Sequence, residues 1–377
     1  MQLSPRDANA HSALGSIYYQ KHDYDQAIFH LNIAIGAKPS WGYLYSLRGD
    51  VRAEMGQLDS AIADYSAAIQ GDPKNIIYYS KRCEFYVQKG DYAKALADCD
   101  EIVRIEPENP GSYSRRASRY LSMGDYEKAL ADCNQAIRLD PKDGSNYGLR
   151  ADVYQRKGNI AQAIADFKEN SRLDPNDPYA HSGLGLIYVK KGEYDEAISH
   201  YDQAIRIDPK SDFFHILRGQ AYAKQGQLDK AIVDYDQALR LNPKYADAFC
   251  DRGNAYSAKK HYDRAMADFN EAIRLNSKHA GANNARAWFW ATCPDSKFRD
   301  GKKAIESARV ACEVTSWKDP FCIDTLAAAY AEAGKYEEAV KWQKKALESA
   351  SALSKEDLDK MQERLRLYGD RKPYHEK

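Results

Sequence analysis

The 377-residue sequence predicts an all-α solenoid, a stack of helical hairpins built from one repeated unit. Three series of residues support this prediction, because alanine and proline recur every 34 residues and tyrosine does so with one interruption, at Arg52. The series are Ala27, Ala61, Ala95, Ala129, Ala163, Ala197, Ala231 and Ala265; Pro39, Pro73, Pro107, Pro141, Pro175, Pro209 and Pro243; and Tyr18, Tyr86, Tyr120, Tyr154, Tyr188, Tyr222 and Tyr256. A constant period of this kind is typical of repeat proteins, in which neighbouring units share one continuous core.

One unit, residues 212–245, illustrates how each element is encoded. Apolar residues recur at three- and four-residue spacing up to Gly226, which interrupts the pattern and ends a first helix. The spacing resumes at Leu228 and stops before Pro243, because proline cannot continue a helix. Each unit is therefore predicted to be a helix–turn–helix. Gly219 is small where the two helices cross, so their backbones can approach closely.

The repeated residues resemble the tetratricopeptide repeat family, in particular the multi-repeat proteins of bacteria. The resemblance covers residues 8–279 without an insertion or deletion, as eight units of 34 residues. The unit starts are Ala8, Gly42, Ile76, Pro110, Gly144, Pro178, Asp212 and Ala246. With the residues that follow, this resemblance implies a right-handed α-solenoid, or superhelix, of about ten helix–turn–helix units.

The C-terminal part of the chain departs from the 34-residue period. Residues 280–319 are predicted to form an atypical ninth unit with a five-residue insertion, and residues 320–353 a tenth unit. In residues 354–377, Ser354 and Asp357 are spaced as a capping box before an amphipathic helix. That helix is predicted to cover the last exposed surface of the core.

The N-terminal part favours a cytoplasmic protein, because it carries no apolar signal segment. The apolar runs of the chain are also far shorter than the roughly 20 residues needed to cross a bilayer. Residues 1–7 are predicted to be the tail of a preceding repeat or a linker, since no cap opens the chain. Met1 would then not be the natural start, and an upstream domain or signal could precede it.

An arginine–aspartate pair covaries among the units. Six units have arginine at their seventh place and aspartate sixteen residues later, whereas the units with Leu14 and Leu184 carry His30 and His200 instead. A phosphate-binding arginine ladder is one interpretation. The covariation favours the other interpretation, an ion pair between the two helices of each unit. Arg286 lacks an aspartate at this spacing.

For Arg286 in the ninth unit, Asp300 or Glu306 is a candidate replacement partner. Asp300 is also predicted to cap the helix that begins near residue 301.

Composition and motifs argue against several function classes. Lysine plus arginine equals aspartate plus glutamate, 55 of each, so no net positive charge attracts nucleic acid, although a local basic patch stays possible. Seven cysteines without a CxxC motif favour buried free thiols over a disulfide framework or a zinc site. His11, His181 and His215 occupy one position of the repeat unit, at which other units carry a packing aromatic residue. We expect no cofactor, no metal and no catalytic residue.

Cys293 lies in the irregular loop of the ninth unit. A structural role as a repeat terminator is favoured there over a reactive thiol.

The resemblance also implies where a partner would bind. In this family the first helix of each unit lines the concave groove. Carried onto this sequence, the partner-binding residues are predicted to be Tyr43, Asp50, Glu84, Asp152, Tyr179, Leu186, Phe213, Ile216, Gln220 and Asn254. The first half of this groove is acidic and should favour a basic segment. The stretch from Tyr179 to Ile216 is apolar and is predicted to anchor side chains, unless those residues only pack on adjacent helices.

The predicted function is therefore a non-enzymatic scaffold that binds a peptide or partner protein. The alternative is the C-terminal regulatory or targeting array of a larger enzyme or secretion-associated protein. One subgroup of the family clamps acidic C-termini of heat-shock chaperones with lysines and asparagines. The corresponding places here are Ser12, Ser16, Ser46, Asp50, Ser80 and Glu84. Because these residues cannot form that clamp, such co-chaperone binding is not expected.

Overall fold

The computed structural model describes residues 7–351 and 353–376, and within this part of the chain all regular structure is helical. The predicted tail at residues 1–6 lies outside the described residues. The helices are α1 (Ala8–Gln20), α2 (Tyr24–Ala37), α3 (Gly42–Glu54), α4 (Leu58–Gly71), α5 (Ile76–Gln88), α6 (Tyr92–Ile105), α7 (Pro110–Met123), α8 (Tyr126–Leu139), α9 (Gly144–Lys157), α10 (Ile160–Leu173), α11 (Pro178–Lys191), α12 (Tyr194–Ile207), α13 (Asp212–Lys224), α14 (Leu228–Leu241), α15 (Ala246–Ala258), α16 (Tyr262–Leu275), α17 (Ala280–Thr292), α18 (Gly301–Val314), α19 (Pro320–Glu332), α20 (Tyr336–Glu348) and α21 (Lys355–Gly369), with a 3-10 turn at Ser296–Phe298. The first helices of units one to eight begin at the eight unit starts read from the sequence.

Turn glycines and capping side chains set the ends of the helices. Gly226, between α13 and α14, has a φ of +81°, a left-handed conformation that glycine adopts without steric cost. Asp125 begins α8 by accepting a hydrogen bond from the Lys128 N–H, which satisfies a donor that the helix leaves unpaired. Asp300 caps α18 in the same way, as predicted, with its carboxylate 3.0 Å from Lys303 N.

Small residues let the two helices of each hairpin pack closely. The alanines of the 34-residue series are completely buried, from Ala27 in α2 to Ala265 in α16. Gly219 in α13 faces the ring of Tyr235 in α14 so closely that an added Cβ would lie 2.7 Å from its Cε1 atom. The side chain of Tyr235 therefore fills the space that glycine leaves, as in a close-packed core.

The chain divides into two compact bodies, Met1–Ala180 and His181–Lys377, and the division falls within α11. We call them the N-terminal and the C-terminal body. No change in the 34-residue period marks this division. In both bodies the second helix of a hairpin packs against the first helix of the next, as α8 does with α9 and α14 with α15.

The predicted arginine–aspartate pairs are present in all six units, which confirms the structural interpretation of the arginine series. Each arginine donates from two of its nitrogens to one aspartate across the hairpin, at 2.5–3.2 Å. The pairs are Arg48–Asp64, Arg82–Asp98, Arg116–Asp132, Arg150–Asp166, Arg218–Asp234 and Arg252–Asp268. The six aspartates are buried, so each pair joins the core of its hairpin.

The same arginines also connect neighbouring hairpins, a feature that was not predicted. The remaining guanidinium nitrogen donates to a polar side chain on the second helix of the preceding hairpin, at 2.6–2.9 Å. The acceptors are Asn32, Ser66, Asp100, Asn134, Asp202 and Asp236. Each arginine thus stabilises the packing of its own hairpin and connects that hairpin to the preceding one.

Histidine pairs replace the ion pair in the two units that carry leucine. His11 and His30 approach to 2.9 Å between their Nδ1 atoms, and the ring of Tyr18 stacks on His30 at 5.4 Å. His181 and His200 form the corresponding pair, with 3.3 Å between their Nδ1 atoms. The histidines therefore do more than substitute for packing aromatics, because they form a polar contact between the two helices.

Arg286 in the ninth unit finds a different partner from those predicted. Its guanidinium donates to the Ser307 hydroxyl at 3.2–3.3 Å and to Asn270 at 2.9 Å. Asp300 and Glu306 were the wrong candidates. Asp300 caps α18 instead, and the insertion brings the small side chain of Ser307 to the place opposite Arg286.

Helix α21 covers the end of the C-terminal body through a buried ion pair. Arg364 donates to both carboxylate oxygens of Asp324 in α19, at 2.9 and 2.8 Å, and Gln343 in α20 donates to the same carboxylate at 2.6 Å. Ser354 caps α21, because its hydroxyl accepts a hydrogen bond from the Asp357 N–H and donates one to the Asp357 carboxylate at 2.6 Å. The capping helix is therefore held by specific polar contacts as well as by its apolar face.

The cysteines are buried free thiols, as the sequence predicts. Burial raises the pKa of the Cys293 thiol, which makes it less reactive at neutral pH. In the part of the chain that is described, no helix has the length and apolar character needed to span a membrane.

Candidate partner-binding face

The first helices of several neighbouring hairpins contact each other directly, so in these parts of both bodies they share one surface. Such contacts join α7 to α9 in the N-terminal body and α13, α15, α17 and α19 in succession in the C-terminal body. We call this surface the first-helix face. Side chains at the second and ninth places of each unit are predicted to lie on it, and these places contain most of the residues predicted to bind a partner.

Exposed apolar side chains recur at the second place of the first helices. Their exposed fractions are 40–66%, large for aromatic and branched residues. They are Tyr43, Ile77 and Tyr179 in the N-terminal body and Phe213 and Phe321 in the C-terminal body. Exposed large apolar residues at a fixed register position are typical of a contact surface rather than of a solvated one.

The acidic residues predicted for the groove of the N-terminal body differ in their surroundings. Asp50 accepts a hydrogen bond from the Tyr65 hydroxyl at 2.6 Å, so it also supports the core. Glu84 is exposed. Asp152 is exposed as well, yet the protein around it displaces water and raises the pKa of its carboxyl. An exposed but desolvated carboxylate indicates that Asp152 lies in a recessed part of the surface.

The predicted residues of the C-terminal body do not all reach the surface. Leu186 is half-buried and Phe213 is exposed. Ile216 is a correction to the prediction, because it is only 3% exposed and packs in the core with Tyr235. Ile216 occupies the fifth place of its unit, and its aliphatic side chain packs between helices. Tyr179 belongs to the N-terminal body.

Two adjacent recesses indent the first-helix face of the C-terminal body. The larger, of about 500 Å³, lies between α15, α17 and the C-terminal segment, residues 370–376. We call it the acidic recess; its polar lining residues are Asp247, Asp251, Asn254, Ser257, His279, Asn284 and Glu376. The neighbouring recess, of about 450 Å³, lies between α13 and α15 and includes Gln220 and Asn254, both predicted to bind a partner. Asp251 and Asn254 line both recesses.

The carboxylates of the acidic recess are not neutralised by a cation. Asp251 accepts a hydrogen bond from the neutral amide of Gln220 at 2.8 Å, and desolvation raises its pKa. His279 lies 2.9 Å from Asp247 through Nε2, while its Nδ1 accepts the Ala282 N–H at 3.0 Å. Asp247 therefore contacts an imidazole rather than a lysine or arginine, and its side chain is 64% exposed.

The C-terminal segment forms one wall of the acidic recess. Glu376 accepts a hydrogen bond from the Trp288 indole N–H at 2.7 Å, and its own N–H donates to the Thr292 carbonyl at 2.8 Å. Tyr374 packs against the Trp288 ring, with 5.9 Å between the ring centroids. The recess is therefore complete only when this segment lies across α17.

Sequence reasoning missed Asp251 and Glu376. Asp251 could have been noticed, because leucine occupies the same place at positions 47, 149 and 217. An aspartate at a place that usually holds an apolar residue needs a polar partner or a ligand. Glu376 had no such signal, since its position depends on how the last residues of the chain fold back.

Comparison with family models identifies the repeat along most of the chain. Models described as "Tetratricopeptide repeat" or "TPR repeat" match residues 8–40, 46–110, 111–143, 151–192, 185–226, 219–260, 246–279 and 322–357. No curated protein matches the sequence.

Solved structures share the fold at low sequence identity. A tetratricopeptide repeat protein from Parabacteroides merdae is 19% identical, with a TM-score of 0.55 over 69% of this chain and 98% of that one. The Cut9 and Hcn1 hetero-tetramer of the APC/C is 15% identical, with a TM-score of 0.55 over 94% and 90%. A human IFIT1 dimer with PPP-AAAA is 18% identical, with a TM-score of 0.51 over 93% and 92%. These similarities support the all-α repeat fold.

Proposed function

Because the chain belongs to the tetratricopeptide repeat family, we propose that it is a non-enzymatic scaffold whose first-helix face binds a peptide or an extended segment of a partner protein. The observation that carries the proposal is the recurrence of exposed aromatic and aliphatic side chains at the second place of the first helices. Binding hot spots are rich in such residues, because they bury a large apolar area at little entropic cost.

The two recesses of the C-terminal body also support partner binding on the first-helix face. Their volumes, about 500 and 450 Å³, fall in the range of roughly 300–1,000 Å³ that is typical of ligand pockets. An extended segment could place side chains in both, since Asp251 and Asn254 line the two recesses. No group of three metal-ligating side chains occurs among residues 7–351 and 353–376. The two recesses support our proposal that this surface binds a partner segment.

A peptide-display selection against the full chain tests the proposal. Peptides that bind are synthesised, and their affinities are measured by calorimetry for the wild type and for single alanine variants. Phe213→Ala on α13 should weaken binding about tenfold or more if Phe213 is an anchor, by analogy with other interface aromatics. The matched control is Val233→Ala, which removes a 66% exposed apolar side chain from the second helix α14 of the same hairpin.

The N-terminal body offers a second matched pair. Tyr179→Ala alters the first-helix face, whereas Phe29→Ala alters the second helix α2, and both side chains are more than half exposed. Circular dichroism checks that each variant keeps its helical content. If the selected peptides lose affinity only with Phe29→Ala or Val233→Ala, the partner binds the other face and the proposal is wrong.

A further inference from the structure

We propose that the acidic recess of the C-terminal body binds the guanidinium group of an arginine in the partner segment. This inference rests on the proposed function, because it assumes that a segment lies along the first-helix face. It adds a chemical requirement that the proposed function does not contain. Asp247 and Asp251 would bind the cation, and Trp288 would provide an aromatic surface for its planar group.

The electrostatics of the recess favour a cation. Asp247, Asp251 and Glu376 line it, and no lysine or arginine lies among its lining residues in the described chain. The arginine–aspartate pairs provide an internal comparison, since each of their buried aspartates has a guanidinium within hydrogen-bond distance. A desolvated carboxylate without a counter-charge gains more from an incoming cation than an exposed one does.

The hydrogen-bonding groups of the recess are mainly acceptors. Asp251 has only a single hydrogen bond, the one from Gln220. The Oδ1 atom of Asn284 is buried and lacks a partner among the described residues. Such an atom costs free energy until a donor reaches it. A guanidinium carries five N–H donors and no acceptor, so it matches this set of groups.

The shape of the recess favours arginine over lysine. Trp288 contributes to its lining, and a guanidinium stacks on an aromatic ring better than an ammonium does, whereas the neighbouring Phe269 and Phe289 are at most 4% exposed. The planar fork of arginine can also bond two carboxylate oxygens at once, whereas lysine acts as a point charge. Part of the Trp288 ring is already covered, because the Arg364 guanidinium lies 5.2 Å and the Tyr374 ring 5.9 Å from its centroid.

The test uses the peptides selected against the full chain. Peptide sequences are first examined for an arginine that is enriched at one position. That arginine is then replaced by lysine or by citrulline, which is neutral but has nearly the same shape. Affinities are measured for the wild type, for Asp251→Asn and Asp247→Asn, and for a control, Asp263→Asn. Asp263 is exposed on α16, the second helix of the hairpin that carries Asp247 and Asp251.

We expect citrulline to lower the affinity for the wild type about tenfold to a hundredfold, the usual worth of a charge-assisted hydrogen-bonded pair. Lysine should bind between arginine and citrulline. Asp251→Asn should abolish the difference between arginine and citrulline, and Asp263→Asn should leave it unchanged. Asp251→Asn should also fold normally, because asparagine has the same shape and no cation loses its partner.

The possible failures are distinguishable. If peptides bind the first-helix face without any preference for arginine, the recess inference is wrong while the proposed function stands. Equal losses with Asp263→Asn and Asp251→Asn would mean that overall charge, rather than the recess, attracts the arginine, and this also overturns the inference. If no peptide binds with sensitivity to Phe213→Ala, both proposals are rejected.

Discussion

The buried ion pair that holds the capping helix gives a quantitative prediction. Replacing Arg364 by methionine keeps most of the buried aliphatic volume but removes the two hydrogen bonds to Asp324. The Asp324 carboxylate then stays buried with only Gln343 as a donor. Breaking a buried pair by removing one partner usually costs about 3–5 kcal/mol. We expect the cost to appear as weaker docking of α21 on α19 and α20.

Hydrogen exchange of the α21 amides measures this cost locally, which matters because a repeat protein need not unfold in one step. A loss of 3–5 kcal/mol corresponds to protection that falls by roughly two to four orders of magnitude, if the helix opens locally. The matched control is Lys360→Met on the same helix. Lys360 is exposed and pairs only with Glu356, so its loss should cost less than about 1 kcal/mol.

The loss of stability caused by Arg364→Met should be larger at neutral pH than in acid. Burial raises the pKa of Asp324 in the folded protein, and loss of the guanidinium raises it further. A carboxyl whose folded pKa is raised favours the folded state at low pH and loses that contribution as the pH rises through the folded pKa. The variant should therefore be least stable at neutral pH and recover on acidification.

Converting Asp324 to asparagine as well should restore much of the protection, because a neutral pair carries no buried charge. Unchanged protection of α21 in Arg364→Met at neutral pH, without any recovery in acid, would refute this account of the cap.

Two further perturbations test the packing of the hairpins. Gly219→Ala should destabilise the protein by about 1–3 kcal/mol in thermal unfolding, because the new Cβ would lie 2.7 Å from the Tyr235 ring. The control Gly36→Ala should be neutral or stabilising, because its new Cβ would have no atom within 4 Å. Equal effects of the two substitutions would contradict the close approach of α13 and α14. Burial and the neighbouring His11 lower the pKa of His30, so protection of α1 and α2 should fall as the pH drops below about 6.5, the ordinary histidine value. Exchange rates corrected for intrinsic chemistry measure this loss, and a flat profile would contradict it.

Much of the fold could be predicted because residues that contact each other change together from one repeat unit to the next. Covariation between Arg116 and Asp132 in one unit, and between the equivalent residues in five others, indicated a contact across each hairpin. The link from Arg116 back to Asp100 escaped notice, since three different residue types act as the acceptor at that place. Packing along the chain repeats every 34 residues, whereas the polar contacts between hairpins vary.

The candidate site was less predictable than the fold. Helical geometry predicts which positions of a first helix share one side of it. Gln220 and Asn254 were chosen in this way, and both line a recess. Ile216 was misplaced because a residue at the fifth place packs between helices when it is large and apolar. The wall formed by Glu376 depends on a tertiary contact between residues 84 positions apart, Thr292 and Glu376, and no local pattern encodes it.

Photo-crosslinking of a selected peptide tests the central claim, partner binding on the first-helix face, most directly. A benzoylphenylalanine is placed at the position of Asn254 on α15 or, as the control, at that of Val233 on α14. The account predicts peptide adducts from the Asn254 position, with attachment sites next to the peptide residues that calorimetry identifies as essential, and none from the Val233 position. Adducts from the Val233 position alone would contradict it.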